Sequence, residues 1–240
     1  MKFLHTETFG WRAAMHGMRS PLSSWQKSDS FWKEIPFSED KEFCIGPNDK
    51  DLALRLIKAG PEHAKFLRQI YASVDITMPR FWWIEASTYR FGVEVQSTST
   101  MHTIHKRPFV PSDFAVSEMI SETWSEADNF SDVGGQTPMD ALVDLCVTLN
   151  KCRDLYLSAK EHGDNARAKM FWKQMILLLP QSYLQERTVT FSYAALANIC
   201  RQRKGHKLTE WAEFIEWAKN LPNSWLIFGE EGDPKNVNGN

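Results

Sequence analysis

The sequence predicts an α+β fold, loosely α/β and rich in helix, in which a small sheet is covered by several helices. Three observations lead there. Helical periodicities outnumber strand-like runs; the two clearest strand-like runs, ASVDIT at 72–77 and ERTVTFS at 186–192, are each followed at once by a helical pattern; and no internal repeat or low-complexity linker divides the chain. With 240 residues, 42% hydrophobic and 24% charged, the chain is long enough to bury a sizeable core. The expectation is one domain over 1–228, followed by a tail at 229–240 whose EEGDPKNVNGN has the composition of a disordered segment.

The elements follow from caps and periodicity. Asn48 and Asp49 are cap candidates for DLALRLIKAG, a helix that stops at Gly60. Pro61 then opens a second helix, PEHAKFLRQIY, with Phe66, Leu67 and Ile70 on one side. After the ASVDIT strand, Thr77 and Pro79 supply start signals for an aromatic helix, PRFWWIEASTYR. Ser112 and Asp113 begin an amphipathic segment, SDFAVSEMISETW, and the glycine pair in SEADNFSDVGGQTP marks a loop. Thr137 and Pro138 start the longest helix, in which Met139, Leu142, Val143, Cys146, Leu149 and Leu155 recur at helical spacing as core positions before Gly163. Asp164 caps a further helix through Leu178 that Pro180 ends, and the apolar run MILLLP at 175–180 reads as its buried end. SYAALANICRQR follows the ERTVTFS strand as a helix, and LTEWAEFIEWAKNL is the final one.

Charge and cysteines exclude several classes of function. Lys plus Arg is 28 against 30 for Asp plus Glu, so no global basic field exists and a polynucleotide partner is not expected. Cys44, Cys146, Cys152 and Cys200 lack CxxC spacing, which argues against structural zinc and reads as reduced thiols in a cytoplasmic protein. Neither a signal peptide nor a membrane span is expected. There is no GxxxxGK[ST] loop, no GxGxxG and no GxSxG. His102 and His105, in MHTIH, have no third ligand at recognisable spacing, so no metal site is expected.

Two constellations remain. In STYRFGVEVQSTSTMHTIHKR (87–107), the hydroxyls of Ser97 to Thr100 stand beside Arg90, His102, His105, Lys106 and Arg107, the donor set for a phosphate or pyrophosphate. A solvated polar loop explains the same composition, and composition alone favours it. In ANICRQRKGHKLTEW, Asn198 and Arg203 lie near a helix end with His206 beyond Gly205, where all three could project toward a ligand. Cations there also complement the helix dipole. A further candidate for phosphate contacts is RSPLSSWQKS, with Arg19, Ser23, Ser24 and Lys27, unless it only caps a loop.

Together these segments resemble the flavin-dependent thymidylate synthases, the ThyX family. The family signature RHRxxSxNExSxRY lies on Tyr89 to His102, YRFGVEVQSTSTMH, without a gap, and Ser99 is its one identical position. The signature's arginines fall on Tyr89, Phe91 and Met101, its His on Arg90, its Asn on Gln96 and its Glu on Ser97. In the C-terminal half, Leu179-Pro180, Asn198, Arg203, His206 and Trp211 follow the family order, with the Arg-to-His step one residue short. A divergent branch found in bacteriophages and prophages is closer still, and its three motif segments resemble GMRSPLSSWQKSDS, TYRFGVEVQSTSTMH and RKGHKLTEW.

The resemblance implies a homotetramer that binds FAD and deoxyuridylate (dUMP) where subunits meet. Methylenetetrahydrofolate would supply the carbon placed on C5 of the uracil, reduced FAD the hydride, and NADPH the reducing power. By the same resemblance Arg203 would contact the pyrimidine and serve catalysis, Ser99 the substrate phosphate, and Asn198, His206 and Arg90 the flavin cofactor, with Gln96, Ser97 and His102 lining the same pocket. Signature arginines are missing at Tyr89 and Met101, and a further family arginine shortly before the Leu-Pro pair is replaced by Ile176, so Arg90, Arg187 or the N-terminal cations would have to take over the phosphate. Three outcomes stay open: a C5 methylase, a folate-dependent C5 hydroxymethylase for modified phage DNA, or a noncatalytic nucleotide-binding protein.

Overall fold

The structure is a computed structural model that describes residues 2–37, 41–121 and 137–229. Strand β1 (Lys2–Phe9) turns at Gly10 into helix α1 (Trp11–Arg19). Gly10 has φ +89°, and a Cβ there would lie 1.9 Å from the Gln69 carbonyl oxygen, so this turn admits only glycine. Two 3-10 turns lead to an antiparallel hairpin, β2 (Phe31–Glu34) with β3 (Lys41–Cys44).

Helix α2 (Pro47–Ala59) follows, with Pro47 in its first turn and Gly46 as its N-cap. Asn48 and Asp49 are therefore not the caps that the sequence suggested. Their backbone N–H groups donate instead to the Asp29 carboxylate at 2.9 and 3.1 Å, a cap brought in from another segment. The helix expected at PEHAKFLRQIY does not form either. Only Lys65–Gln69 is helical, as a 3-10 piece, because the sheet already claims Tyr71; Phe66, Leu67 and Ile70 are buried all the same.

Strand β4 (Tyr71–Pro79) buries Ala72, Val74, Ile76 and Met78 in alternation and runs directly into α3 (Arg80–Ala86), shorter than predicted. Next come β5 (Val93–Ser97) and the single turn α4 (Thr100–Thr103). The amphipathic segment expected from Ser112 opens in a 3-10 turn, Pro111–Asp113. The buried Asp113 carboxylate explains it, accepting from the Val110 N–H and pairing with Arg107, so its energy goes into a loop rather than a helix. The end of that segment and the glycine pair, Gly134 and Gly135, lie outside the described residues.

Helix α5 (Pro138–Glu161) begins with the predicted Thr137, which exchanges side-chain and backbone bonds with Asp140 in a capping box. Asp164 caps α6 (Asn165–Leu178) through the Arg167 N–H. Then follow β6 (Leu184–Ser192), α7 (Tyr193–Arg203), α8 (Thr209–Lys219) and a short α9 (Trp225–Phe228) that periodicity did not reveal.

The larger sheet has the strand order β1-β4-β6-β5. The chain forms two compact units, one from residues 1–76, 87–96 and 187–240, the other from 77–86 and 97–186. In the first, Phe191 of β6 meets Phe214 of α8 at 5.5 Å, while the alternate residues of the strand face a polar layer, where Thr188 donates to Asp75 and Thr190 to Ser73. In the second, α5 and α6 pack through Leu142, Cys146, Leu149, Met175 and Leu179. Val143 is 42% exposed, and in the MILLLP run Leu177 is 64% and Leu178 39% exposed. That run is thus not wholly buried, because consecutive helical residues step 100° apart and four of them cannot share one face. Among the described residues, no helix is long and apolar enough to cross a membrane.

Candidate functional site

Helix α7 organises the candidate site in the first unit. Its N-cap is Ser192, whose hydroxyl accepts from the Ala195 N–H at 3.1 Å. The Ser192 N–H donates to the Gly92 carbonyl at 2.7 Å, which ties the loop before β5 to the start of the helix. Gly92 has φ +72°, and a Cβ there would sit 2.3 Å from the Ser192 hydroxyl, so the tie requires glycine. The loop so held carries Tyr89 to the other end of α7.

There the Arg203 Nε donates to the Tyr89 hydroxyl at 2.8 Å, and that hydroxyl donates to Gln202 Oε1 at 3.1 Å. The Arg203 guanidinium lies 4.6 Å from the Trp211 ring centroid and 5.4 Å from that of Tyr89. His206 meets the same indole edge-on at 6.3 Å, and its Nδ1 accepts from the Leu208 N–H. Two aromatic rings and one hydroxyl therefore fix the direction of a permanent positive charge.

Asn198 is five residues before Arg203, a rotation of roughly 140° on a helix. It therefore does not stand beside Arg203 as the spacing suggested, but faces a cavity of about 830 Å³. The two positions are linked by Gln202, whose Nε2 donates to Asn198 Oδ1 at 2.9 Å, as does Arg201. With its oxygen taken, Asn198 offers a ligand its NH₂ group. The cavity is apolar along Ile57, Leu67, Ile215 and Phe228, and Arg68, Arg201, Lys204 and Lys219 add positive charge to its lining. Cys200 also lines it, but burial pushes this thiol up to about 12, which leaves no nucleophilic thiolate at neutral pH.

The other candidates are not part of this set of contacts. Arg90 and Gln96 are exposed and, among the described residues, make no polar contact with it; Arg187 is half-buried in β6. Ser97, Ser99 and His102 belong to the second unit. Their segment is held by Gln185, which donates to the Thr98 carbonyl at 3.0 Å, and by the Trp172 indole, which donates to the Met101 carbonyl. Ser97 to Thr100 thus join a strand to a helical turn, and nothing among the described residues bonds the hydroxyls of Ser97 or Ser99. Arg19 does not lie in an exposed loop, the alternative its motif offered; it is 4% exposed and paired with the fully buried Asp49. Tyr89, which touches both Arg203 and Gln202, was not among the candidate site residues. Its only signal was its place at a signature position.

The fold defined by these elements is that of the flavin-dependent thymidylate synthases. Two solved structures with it are of the ThyX enzyme from Helicobacter pylori, each complexed with FAD and dUMP. The first has a TM-score of 0.61 at 18% identity, over 96% of this chain and 99% of that one. The second has a TM-score of 0.59 at 17% identity, over 97% and 99%. No protein-family model and no curated protein sequence matches the chain.

Proposed function

We propose that the protein is a flavin-dependent pyrimidine nucleotide methylase of the thymidylate synthase type, acting on dUMP with FAD, methylenetetrahydrofolate and NADPH. The observation that carries this reading is the placement of Asn198 in the wall of an apolar, cation-bearing cavity while Arg203 is fixed one relay away by Tyr89 and Trp211. That the fold is one solved elsewhere with FAD and dUMP supports it.

The residues suit a flavin. The cavity's apolar walls match a planar ring system, its four cations match a pyrophosphate, and the Asn198 NH₂ matches a ring carbonyl. Bound there, the cofactor would supply hydride chemistry. The protein's part is to bind and orient: Arg203 presents its guanidinium to the uracil oxygens and to charge that develops on the ring, and Tyr89 keeps that guanidinium from swinging into water. Ser99, Arg90 and Arg187 are the proposed phosphate contacts, and Gln96, Ser97, His102 and His206 the further cofactor contacts. One domain is proposed, since the two units interleave along the sequence.

The test is the visible absorption spectrum of the purified protein with added FAD, then with dUMP titrated in. A flavin band that saturates and shifts with dUMP is expected, and no bound flavin at any concentration would sink the assignment. Product mass after incubation with folate separates methyl from hydroxymethyl transfer. Tyr89→Phe, which keeps the ring and removes the hydroxyl, should weaken dUMP binding roughly tenfold while flavin binding persists, because a hydrogen bond to a charged group is lost. Unchanged dUMP affinity would show that Tyr89 does not position Arg203.

A further inference from the structure

A second cavity of about 290 Å³ lies in the first unit and shares no lining residue with the first. One wall is α1, where Arg12, His16 and Arg19 recur at four- and three-residue steps and so face the same way. The facing walls are Trp25, Phe31, Trp32 and Phe43. The His16 ring stacks on Trp25 at 5.5 Å and 14°, and Trp32 meets Phe43 edge-on at 4.9 Å. Trp25, Phe31 and Trp32 are 42, 57 and 47% exposed, an unusual amount of aromatic surface to leave in water around one cavity.

The polar groups of this cavity are only partly matched. Arg19 Nε donates to Asp49 Oδ1, and the hydroxyls of Ser28 and Ser30 donate to Asp49 Oδ2 at 2.6 and 2.5 Å. Three donors thus converge on this carboxylate. Among the described residues no acceptor meets the terminal nitrogens of the buried Arg19 or the guanidinium of Arg12. The terminal nitrogens of Arg19 are thus left available to an acceptor in the cavity.

We propose that this cavity binds a nucleoside monophosphate, with the base against the indoles of Trp25 and Trp32, the base acceptors on Arg19, and the phosphate on Arg12 at the mouth. Aromatic faces bind any base by stacking, and guanidinium groups suit both base acceptors and phosphate. The volume admits one base and its sugar, not a dinucleotide such as the flavin cofactor. The site is additional to the one proposed above and requires neither flavin nor catalysis.

The experiment is photo-cross-linking of the full chain, supplied with FAD, using a thiouridine monophosphate, followed by peptide mapping. Label is expected at Trp25, Phe31 or Trp32, competed by unlabelled UMP and not by uridine. Arg12→Ala and Trp32→Ala, both at exposed side chains and so compatible with folding, should each weaken that competition roughly tenfold. Label confined to the surroundings of Tyr89 and Arg203, no label at all, equal competition by uridine, or unchanged affinity in both variants would overturn the proposal. Flavin binding without label at these aromatics sinks this inference alone, and label without flavin binding sinks only the flavoenzyme reading.

Discussion

At the scale of single residues, Asp49 shows how a surface-like motif becomes structure. GMRSPLSSWQKSDS reads as an exposed loop, yet its Arg19, Ser28 and Ser30 all converge on one fully buried carboxylate from α2. Burial by itself would raise the Asp49 pKa; the two hydroxyls and the guanidinium outweigh it and hold the carboxyl below its ordinary range. The folded chain therefore favours the ionised form more than the unfolded chain does. Its stabilisation is full above pH about 4 and is lost as the pH falls toward the lowered value. Asp49→Ala should cost about 3–5 kcal/mol at neutral pH, because it strands a buried arginine. Urea unfolding should show the gap between wild type and variant narrowing below pH about 4, and a gap that does not depend on pH would contradict the network.

At the scale of elements, the terminal signals were the most legible. Thr137, a helix start signal in the sequence, and Asp164, a cap candidate there, both cap their helices, since each side chain needs only a backbone N–H three residues on. Asn48 and Asp49 are not caps because the capping group, Asp29, arrives from a segment about twenty residues earlier. The loop holding Tyr89 depends on such a distant partner too. Gly92→Ala would combine an unfavourable φ with a clash on Ser192, and should destabilise by about 1–3 kcal/mol or more. Because that loop aims Tyr89, the variant should also lose dUMP affinity in the binding measurement proposed for Tyr89→Phe; a stable protein with unaltered binding would free Tyr89 from the Gly92 tie.

At the scale of the molecule, the helices of the second unit leave apolar side chains in water. Val147 and Leu177 are each 64% exposed and Met170 is 50% exposed. Such surface is expected to be covered by self-association, consistent with the tetramer that the resemblance implies. Light scattering should find an oligomer, and Val147→Asp with Leu177→Asp should shift it to smaller species. A wild type that is monomeric at micromolar concentration would remove this face as an interface.

The sequence by itself determined the mixed class, the long α5 and α6 with their caps, the alternating strands β4 and β6, and the order Asn198, Arg203, His206, Trp211. Those features rest on local periodicity and on groups a few residues apart, which a linear reading can see. Tertiary structure alone decided that PEHAKFLRQIY is no helix, that Arg19 is buried, and that Tyr89 connects Arg203 to Asn198 through Gln202. The Tyr89 and Arg203 partners lie 114 positions apart, and the reason is physical: a side chain's acceptor, its stacking ring and its exposure are set by whatever packs against it, and long-range packing leaves no period in the sequence.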